Sequence, residues 1–109
     1  MQRTVLKSKI AYAVLTDANL YYEGSIGIDH DIMDQANIIP NEQVQVVNVN
    51  NGERLVTYAI PMERGSMKFV LNGPAARKGL SGDEIVIISY IGVQDGDVFD
   101  PIIIDLKHD

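Results

Sequence analysis

The chain has 109 residues, of which 46% are hydrophobic and 22% are charged, so its size and composition favour one globular domain with a modest core. The absence of cysteine excludes disulfides, thiolate nucleophiles and cysteine-ligated metals. The net charge of −6 argues against a nucleic-acid partner, because a phosphate backbone requires a basic surface.

Targeting and membrane-spanning segments are not expected. The N-terminal sequence MQRTVLKSK is not followed by the apolar stretch of a signal peptide. No segment approaches the roughly 20 apolar residues of a membrane span. We therefore expect a soluble, cytoplasmic domain with no membrane partner.

The first predicted strand covers residues 4–16. Its loose alternation places Ile10 and Val14 on one face and Lys7 and Lys9 on the other. The next four residues, TDAN at 16–19, are typical of a turn.

A second strand is predicted for residues 20–28, within the stretch LYYEGSIGID. Gly24 stands in the middle of this strand, although a glycine there adds backbone entropy and packs nothing. The position requires an explanation. We interpret the Gly24–Ser25 peptide bond as a bond that the protein cleaves.

Residues 29–37, DHDIMDQAN, change to a helical period, with Asp29 as the capping residue and acids in the first turn. A metal site is the alternative, but the spacing of these acids matches no known ligand frame. Its ligands would be Asp29, His30, Asp31 and Asp34. We favour a helix whose first-turn carboxylates interact well with its macrodipole, and we predict no metal site.

A β-hairpin is predicted next, because Asn-Gly stands between two β-branched runs at residues 44–49 and 54–60. Further strands are predicted at 68–71, 84–93 and 101–106. Residues 84–93 are almost continuously apolar, which indicates burial on both faces. Pro74 and Gly79 delimit a short helix. Six or seven short strands with one or two short helices predict a small, mostly β barrel.

Candidate binding residues cluster around the hairpin. Arg54 and Tyr58 share one face of the predicted strand, whereas Thr57 points away unless a bulge intervenes. Together with Lys9, Arg54 could bind a small anion; the alternative is that Arg54 is solvated and Tyr58 belongs to the core. The pattern alone leaves both open.

Two other features are ambiguous or weak. Asn72-Gly73 is either a simple turn before the short helix or a place where backbone N–H groups meet a carboxylate. His108 lies in an acidic tail that we expect to fray. The sequence contains no G-x-S-x-G motif, phosphate loop or dinucleotide fingerprint.

Taken together, six stretches resemble the aspartate 1-decarboxylase family, pyruvoyl-dependent enzymes that make β-alanine for pantothenate. They are RTVLKSKI, LYYEGSIGID, NGERLVTYAI, ERGS, LNGPAA and GDEIVIISY, in the order and spacing of the family up to about residue 93. The resemblance implies one domain over residues 1–109, a six-stranded double-psi β-barrel, and a homotetramer with active sites between neighbouring subunits.

The resemblance also implies how Gly24-Ser25 is used. Self-cleavage between them yields residues 1–24 (β chain) and 25–109 (α chain), and Ser25 becomes a pyruvoyl group. L-aspartate then forms a Schiff base with this group and loses its α-carboxylate as CO2, with no pyridoxal phosphate and no metal. Glycine at position 24 is expected because a β-carbon would obstruct a strained backbone there.

The family's site residues match residues of this chain. Ser25 and Tyr58 correspond to the catalytic residues, with Tyr58 as the proton donor. Lys9 and Arg54 correspond to the substrate-anchoring cations. Residues tied to self-processing and substrate binding are Thr57, Asn72, Gly73, Pro74 and Ala75.

The chain also departs from the family pattern. Ala11 stands where many members have histidine, Pro74 replaces a commoner alanine, and the acidic tail after residue 93 matches only loosely. Pro74 removes one backbone donor from the loop.

Three hypotheses follow from the sequence. The leading one is an aspartate decarboxylase made as an inactive proenzyme. The second is a non-catalytic small β-barrel that binds or assembles, in which Gly24-Ser25 is a bulge. The third retains the pyruvoyl group and changes the amino-acid substrate. Whether cleavage requires a maturation factor is open.

Overall fold

A computed structural model describes residues 1–19 and 24–108. The elements in chain order are β1 (Gln2–Val14), β2 (Asp17–Asn19), β3 (Ser25–Asp29), α1 (His30–Gln35), β4 (Gln43–Asn48), β5 (Arg54–Met62), β6 (Phe69–Asn72), a 3-10 helix (Gly73–Lys78), β7 (Glu84–Gln94) and β8 (Ile102–Asp105). None of the helices in the described residues is long and apolar enough to cross a membrane.

The eight strands form one sheet in the order β2-β6-β3-β5-β4-β7-β1-β8. The pairs β1–β8, β2–β6 and β3–β5 are parallel, and the other neighbours are antiparallel. The predicted mostly β, barrel-like fold with short helices is confirmed. The strand count differs from the expected six, since the described residues contain eight.

The extra strand β2 occupies residues for which the sequence predicted a turn. Asp17 pairs with Val70 and Asn19 with Asn72, both in parallel register with β6. Main-chain pairing with a neighbouring strand therefore overrides the local preference of Asp and Asn for turns. The strand predicted at 20–28 is observed as β3 from Ser25, and its residues 20–23 lie outside the described part of the chain.

β1 does not keep the strict alternation that the sequence predicted. Its register against β7 shifts twice, and the second shift lies between Ile10 and Ala13. Tyr12 within this shift has φ 61, a left-handed conformation that is unusual for an aromatic residue. Because a bulge reverses the alternation, Ile10 and Ala13 are both fully buried while Val14 is 48% exposed. The predicted common face of Ile10 and Val14 is wrong.

The hydrophobic core lies against one face of the sheet and beneath α1. Its fully buried members include Ile10, Ile26, Ile28, Met33, Ala59, Ile85 and Ile87. In β7 the buried Ile85 and Ile87 alternate with the half-buried Val86 and Ile88. The prediction that this strand is buried on both faces is therefore wrong for the single chain, because only one face meets the core.

The predicted cap of the first helix at Asp29 is confirmed. Asp29 caps α1 by accepting a hydrogen bond from the Asp31 backbone at 2.9 Å, and Arg64 pairs with Asp31 and Asp34. In residues 1–19 and 24–108, no group of three or more histidines and acids is arranged to hold a metal ion.

The 3-10 helix begins and ends as the sequence indicated. Pro74 lies in its first turn and Gly79 follows its last residue. A β-carbon at position 79 would lie 2.6 Å from Leu15 Cδ1, so close packing requires glycine there.

His108, in the tail that the sequence predicts to fray, contacts both β1 and β8. The His108 ring meets the Tyr12 ring edge-on with centroids 5.1 Å apart, and its backbone N–H donates to Asp105 at 2.8 Å. These contacts fasten the residues after β8 to the bulge in β1.

A half-buried ion pair joins β1 to the segment before β4. Lys7 Nζ donates to Glu42 Oε2 at 2.7 Å and to the Asn37 carbonyl at 2.5 Å, and the Ser89 hydroxyl also donates to Glu42. Burial raises the pKa of Glu42, but the hydrogen bonds from Lys7 and Ser89 outweigh it and the pKa lies below its ordinary value.

We expect Lys7→Met to destabilise the protein by about 3 kcal/mol, because Glu42 then keeps its charge without its cation. Urea unfolding monitored by circular dichroism gives the free energy of unfolding. The double variant Lys7→Met/Glu42→Leu should recover part of the loss, since it removes both charges. A double variant that is no more stable than the single one contradicts this account.

Asp29 is 1% exposed and accepts backbone hydrogen bonds from Asp31, Gly65 and Met67 at 2.8–3.1 Å. Burial raises the pKa of Asp29. The hydrogen bonds from the Met67, Gly65 and Asp31 backbones lower it by more than burial raises it, so the net shift is downward. The charged form is therefore the one that the native state stabilises.

The stability that ionised Asp29 contributes should be complete above its unfolded-state pKa of about 3.9 and should disappear as the pH falls through the lower native value. We expect Asp29→Asn to cost about 1–2 kcal/mol at pH 7 and progressively less below pH 4. Urea unfolding as a function of pH measures the difference. The exposed Asp34→Asn serves as the control and should cost much less at pH 7. If Asp29→Asn lowers the free energy of unfolding as much at pH 2 as at pH 7, the conclusion that the native state stabilises ionised Asp29 is contradicted.

Candidate active site

Ser25 and Asn72 lie opposite each other in the antiparallel pair of β3 and β6. Ser25 is 1% exposed and Asn72 is 4% exposed. The Asn72 side-chain amide donates a hydrogen bond to Ser25 Oγ at 2.9 Å. Two residues that the sequence analysis singled out separately, 47 positions apart in the chain, therefore meet in the fold.

The other neighbour of β3 is the parallel strand β5. Ile26 pairs with Ala59, and continuing this register by one residue places Ser25 level with Tyr58. One further step places Gly24 level with Thr57. Ser25 is thus flanked by β6 with Asn72 on one side and by β5 with Tyr58 on the other.

β5 keeps a regular register with β4 from Arg54 to Tyr58, without a bulge. Arg54 and Tyr58 therefore share one face and Thr57 points to the other, as the sequence indicated. Arg54 is exposed at the start of β5, about 13 Å along the strand from Tyr58. Tyr58 and Thr57 are half-buried.

Lys9 and Ser25 lie on strands that are not neighbours in the sheet. Lys9 lies on β1, paired with Ile88 of β7, and the strands β7, β4 and β5 stand between β1 and β3 in the sheet. The serine and the strands that carry the amide and the tyrosine are therefore neighbours in the sheet, whereas Lys9 lies on a strand that is not paired with β3 and Arg54 lies at the far end of β5.

Those two cations nevertheless differ from most others in the chain. Five of the nine lysines and arginines form ion pairs within the described residues, namely Arg3, Lys7, Arg64, Lys78 and Lys107. In residues 1–19 and 24–108, Lys9 and Arg54 have neither an ion pair nor a side-chain hydrogen bond, so their charges are available to an anionic ligand.

Two open pockets adjoin β3. The first, here called the Gly24 pocket, has a volume of about 310 Å³ and is lined by Gly24, Leu55, Val56, Thr57, Pro74 and Lys78. The second, the Asn72 pocket, has a volume of about 380 Å³ and is lined by Thr16, Asp17, Asn19, Ile60, Met62, Lys68, Val70 and Asn72. The two pockets share no lining residue, so Gly24 and Asn72 line different spaces.

The Gly24 position is less crowded than expected. A β-carbon there would lie 3.8 Å from Pro74 Cδ, which is ordinary van der Waals contact. The described neighbours therefore do not exclude a side chain, and the expected obstruction is not found. Gly73 differs, because its φ of 63 is the left-handed conformation that glycine favours where β6 turns into the 3-10 helix. Ala75 lies within that helix.

Sequence reasoning did not single out Lys68 and Lys78, which line the two pockets. No motif distinguishes an isolated surface lysine, and only the fold places these two beside Asn72 and Gly24.

Comparison with known proteins identifies the family of the chain. A family model described as aspartate decarboxylase matches residues 1–109. A protein of Coxiella burnetii (strain RSA 493 / Nine Mile phase I) named aspartate 1-decarboxylase is 54% identical over 105 residues, 95% of each chain. Similar proteins of the same name occur in Francisella tularensis subsp. tularensis (strain SCHU S4 / Schu 4) (56% over 105 residues, 95% of each chain) and Thermoanaerobacter pseudethanolicus (57% over 95 residues, 87% of this chain and 81% of the other).

The family model spans the whole sequence, and the relatives are more than half identical to it across most of its length. The chain belongs to the aspartate decarboxylase family.

Proposed function

We propose that the protein is a pyruvoyl-dependent aspartate 1-decarboxylase, which converts L-aspartate to β-alanine and CO2 and supplies β-alanine for pantothenate and coenzyme A synthesis. Family membership and the names of the relatives support this activity. The observation on which the proposal chiefly depends is the buried hydrogen bond from Asn72 to Ser25 Oγ, directly after Gly24.

The residues around Ser25 fit a group made from the chain itself. Ser25 Oγ attacks the carbonyl carbon of Gly24 and displaces the amide nitrogen, which converts the peptide bond to an ester. Elimination from the ester frees Gly24 as a carboxylate and divides the chain into 1–24 and 25–109. Water then releases ammonia from the residue left at position 25, and a pyruvoyl ketone remains. Asn72 holds the attacking oxygen, because its amide donates to Ser25 Oγ.

The pyruvoyl group supplies an electron sink for the carbanion that decarboxylation leaves. Tyr58, level with position 25 on β5, is the proton donor that we assign to this carbanion. Lys9 and Arg54 bind the carboxylates of L-aspartate, Arg54 with a bidentate geometry and Lys9 as a point charge. The retained β-carboxylate should be held more firmly than the departing one, because tight binding of the latter stabilises the ground state.

The separation of the two cations from Ser25 favours a shared site. Lys9 and Arg54 have no ion pair in the described residues, and three strands lie between Lys9 and β3. A homotetramer with active sites between neighbouring subunits would bring the cations of one chain to Ser25 of the next. The same arrangement would cover the half-buried outer face of β7.

Self-cleavage is tested by intact mass of the purified protein after warm incubation. We expect fragments 1–24 and 25–109 for the wild type, none for Ser25→Ala, and cleavage slowed by about 10- to 100-fold for Asn72→Ala, since it loses a buried hydrogen bond to the nucleophile. Ser66→Ala, a serine of the turn before β6, is the control and should cleave normally. A wild type that stays uncut even with a candidate activator favours the non-catalytic barrel.

Substrate binding is tested by steady-state decarboxylation of L-aspartate and L-glutamate. We expect Arg54→Met to raise KM for aspartate by about tenfold or more, because a charge-assisted carboxylate contact is lost. Arg77→Met is the matched control, since Arg77 also has no ion pair in the described residues, and its KM should stay within about twofold. Equal effects of the two variants argue against a binding role of Arg54, and faster turnover of glutamate argues against aspartate as the substrate.

A further inference from the structure

Among the described residues that line the Gly24 pocket, Lys78 is the one with a charged side chain. The other lining residues are Gly24, Leu55, Val56, Thr57 and Pro74. Before cleavage, Gly24 contributes a neutral amide to this pocket. Cleavage at Gly24–Ser25 would place a full negative charge at a half-buried position, and such a charge requires a partner.

We infer that Lys78 is the binding site for the carboxylate that cleavage creates at Gly24, an inference that rests on the proposed function. The Lys78 ammonium holds the new end of the 1–24 chain in the Gly24 pocket. This contact keeps the cut end in place beside Thr57 and Pro74.

The main chain of Lys78 is firmly positioned for this role. Its carbonyl oxygen accepts hydrogen bonds from the side-chain amides of Asn48 and Asn51, each at 3.0 Å. Asn48 is 2% exposed and also donates to Asp83 at 2.9 Å. The last turn of the 3-10 helix is thereby fixed to the turn between β4 and β5, and Lys78 stays beside the pocket.

The side chain of Lys78, by contrast, is free to change partners. Its ammonium lies 2.8 Å from Glu53 Oε2, but the two side chains are 43% and 47% exposed. An ion pair this accessible to water contributes little free energy. The Gly24 carboxylate can therefore compete with Glu53 for the same cation.

The geometry favours the chain end over the substrate as the anion that Lys78 meets. Ser25 Oγ is held by Asn72, which lines the separate Asn72 pocket. Gly24 itself lines the pocket of Lys78. The substrate reacts at position 25, and its carboxylates are assigned to Lys9 and Arg54.

The test uses the cleaved enzyme and a carboxypeptidase, which removes Gly24 from the 1–24 chain when that end is accessible. The mass of the 1–24 chain is followed with time. Lys78→Met should accelerate the loss of Gly24 about threefold, and Lys78→Arg should retain the protection. Glu53→Gln should slow the loss below the wild-type rate, because the competitor for Lys78 is gone.

Matched controls come from another exposed ion pair, which joins Lys107 to Glu84 at 3.1 Å. Glu84 lies on β7, and Lys107 follows β8. The Lys107→Met and Glu84→Gln variants should lose Gly24 at the wild-type rate. If Lys78→Met does not fold, the Glu53→Gln variant distinguishes the two possibilities. Binding of the Gly24 carboxylate by Lys78 predicts slower removal of Gly24 in this variant, whereas a purely structural ion pair predicts equal or faster removal.

Three results overturn the inference alone: equal trimming of all variants, acceleration by both Lys78→Met and Glu53→Gln, or a raised KM for aspartate in Lys78→Met with unchanged trimming. The last result would assign Lys78 to the substrate. A wild type that never cleaves overturns the proposed function and the inference together.

Discussion

The pairing of β3 with β6 is the constraint on which the rest of the site depends. It sets Ser25 opposite Asn72 and buries both, so that the amide meets the hydroxyl oxygen at 2.9 Å. A serine hydroxyl is a weak nucleophile, and its use depends on a fixed position close to the carbonyl that it attacks. Burial in a central strand provides that position, because both neighbours hold the backbone by ladder hydrogen bonds.

β3 pairs with one parallel strand and one antiparallel strand. It is antiparallel to β6 and parallel to β5, so residues distant in the chain reach the same level of the sheet. The hydroxyl, the amide and the phenol come from three strands, and the glycine before the serine opens to a pocket of its own. Under the proposed self-cleavage, Gly24 and the group at position 25 would therefore lie in different surroundings.

Features encoded by neighbouring residues could be predicted from the sequence. The hairpin between β4 and β5 follows from Asn51-Gly52, and the start of α1 follows from the capping side chain of Asp29. The core residues of β1 were misplaced because a bulge at Tyr12 depends on pairing with β7 and β8. β2 was missed because its pairing with β6 involves residues about 50 positions away.

The candidate site likewise combines residues that the sequence could name with an arrangement that depends on long-range pairing. The pairing of Ser25 with Asn72 required the fold, although family resemblance had named both residues. The distance of Lys9 from Ser25 and the nearness of Lys78 to Gly24 depend on strand order, which no local pattern reveals. The burial of β7 also depends on the fold, since its apolar run does not reveal that one of its faces is only partly covered.

The strand order also has a consequence for folding. Within residues 1–19 and 24–108, β1 pairs with β7 and β8, and β2 pairs with β6, so both strands that precede Gly24 are held by strands that follow it. While the chain is continuous, these long-range pairings close loops within one molecule. The proposed cleavage would make residues 1–24 a separate polypeptide, so the same sheet could then form only when two polypeptides meet, and refolding would depend on concentration. The proposed self-cleavage would therefore have to follow completion of the sheet, and persistence of the cut molecule would depend on the rate at which it unfolds.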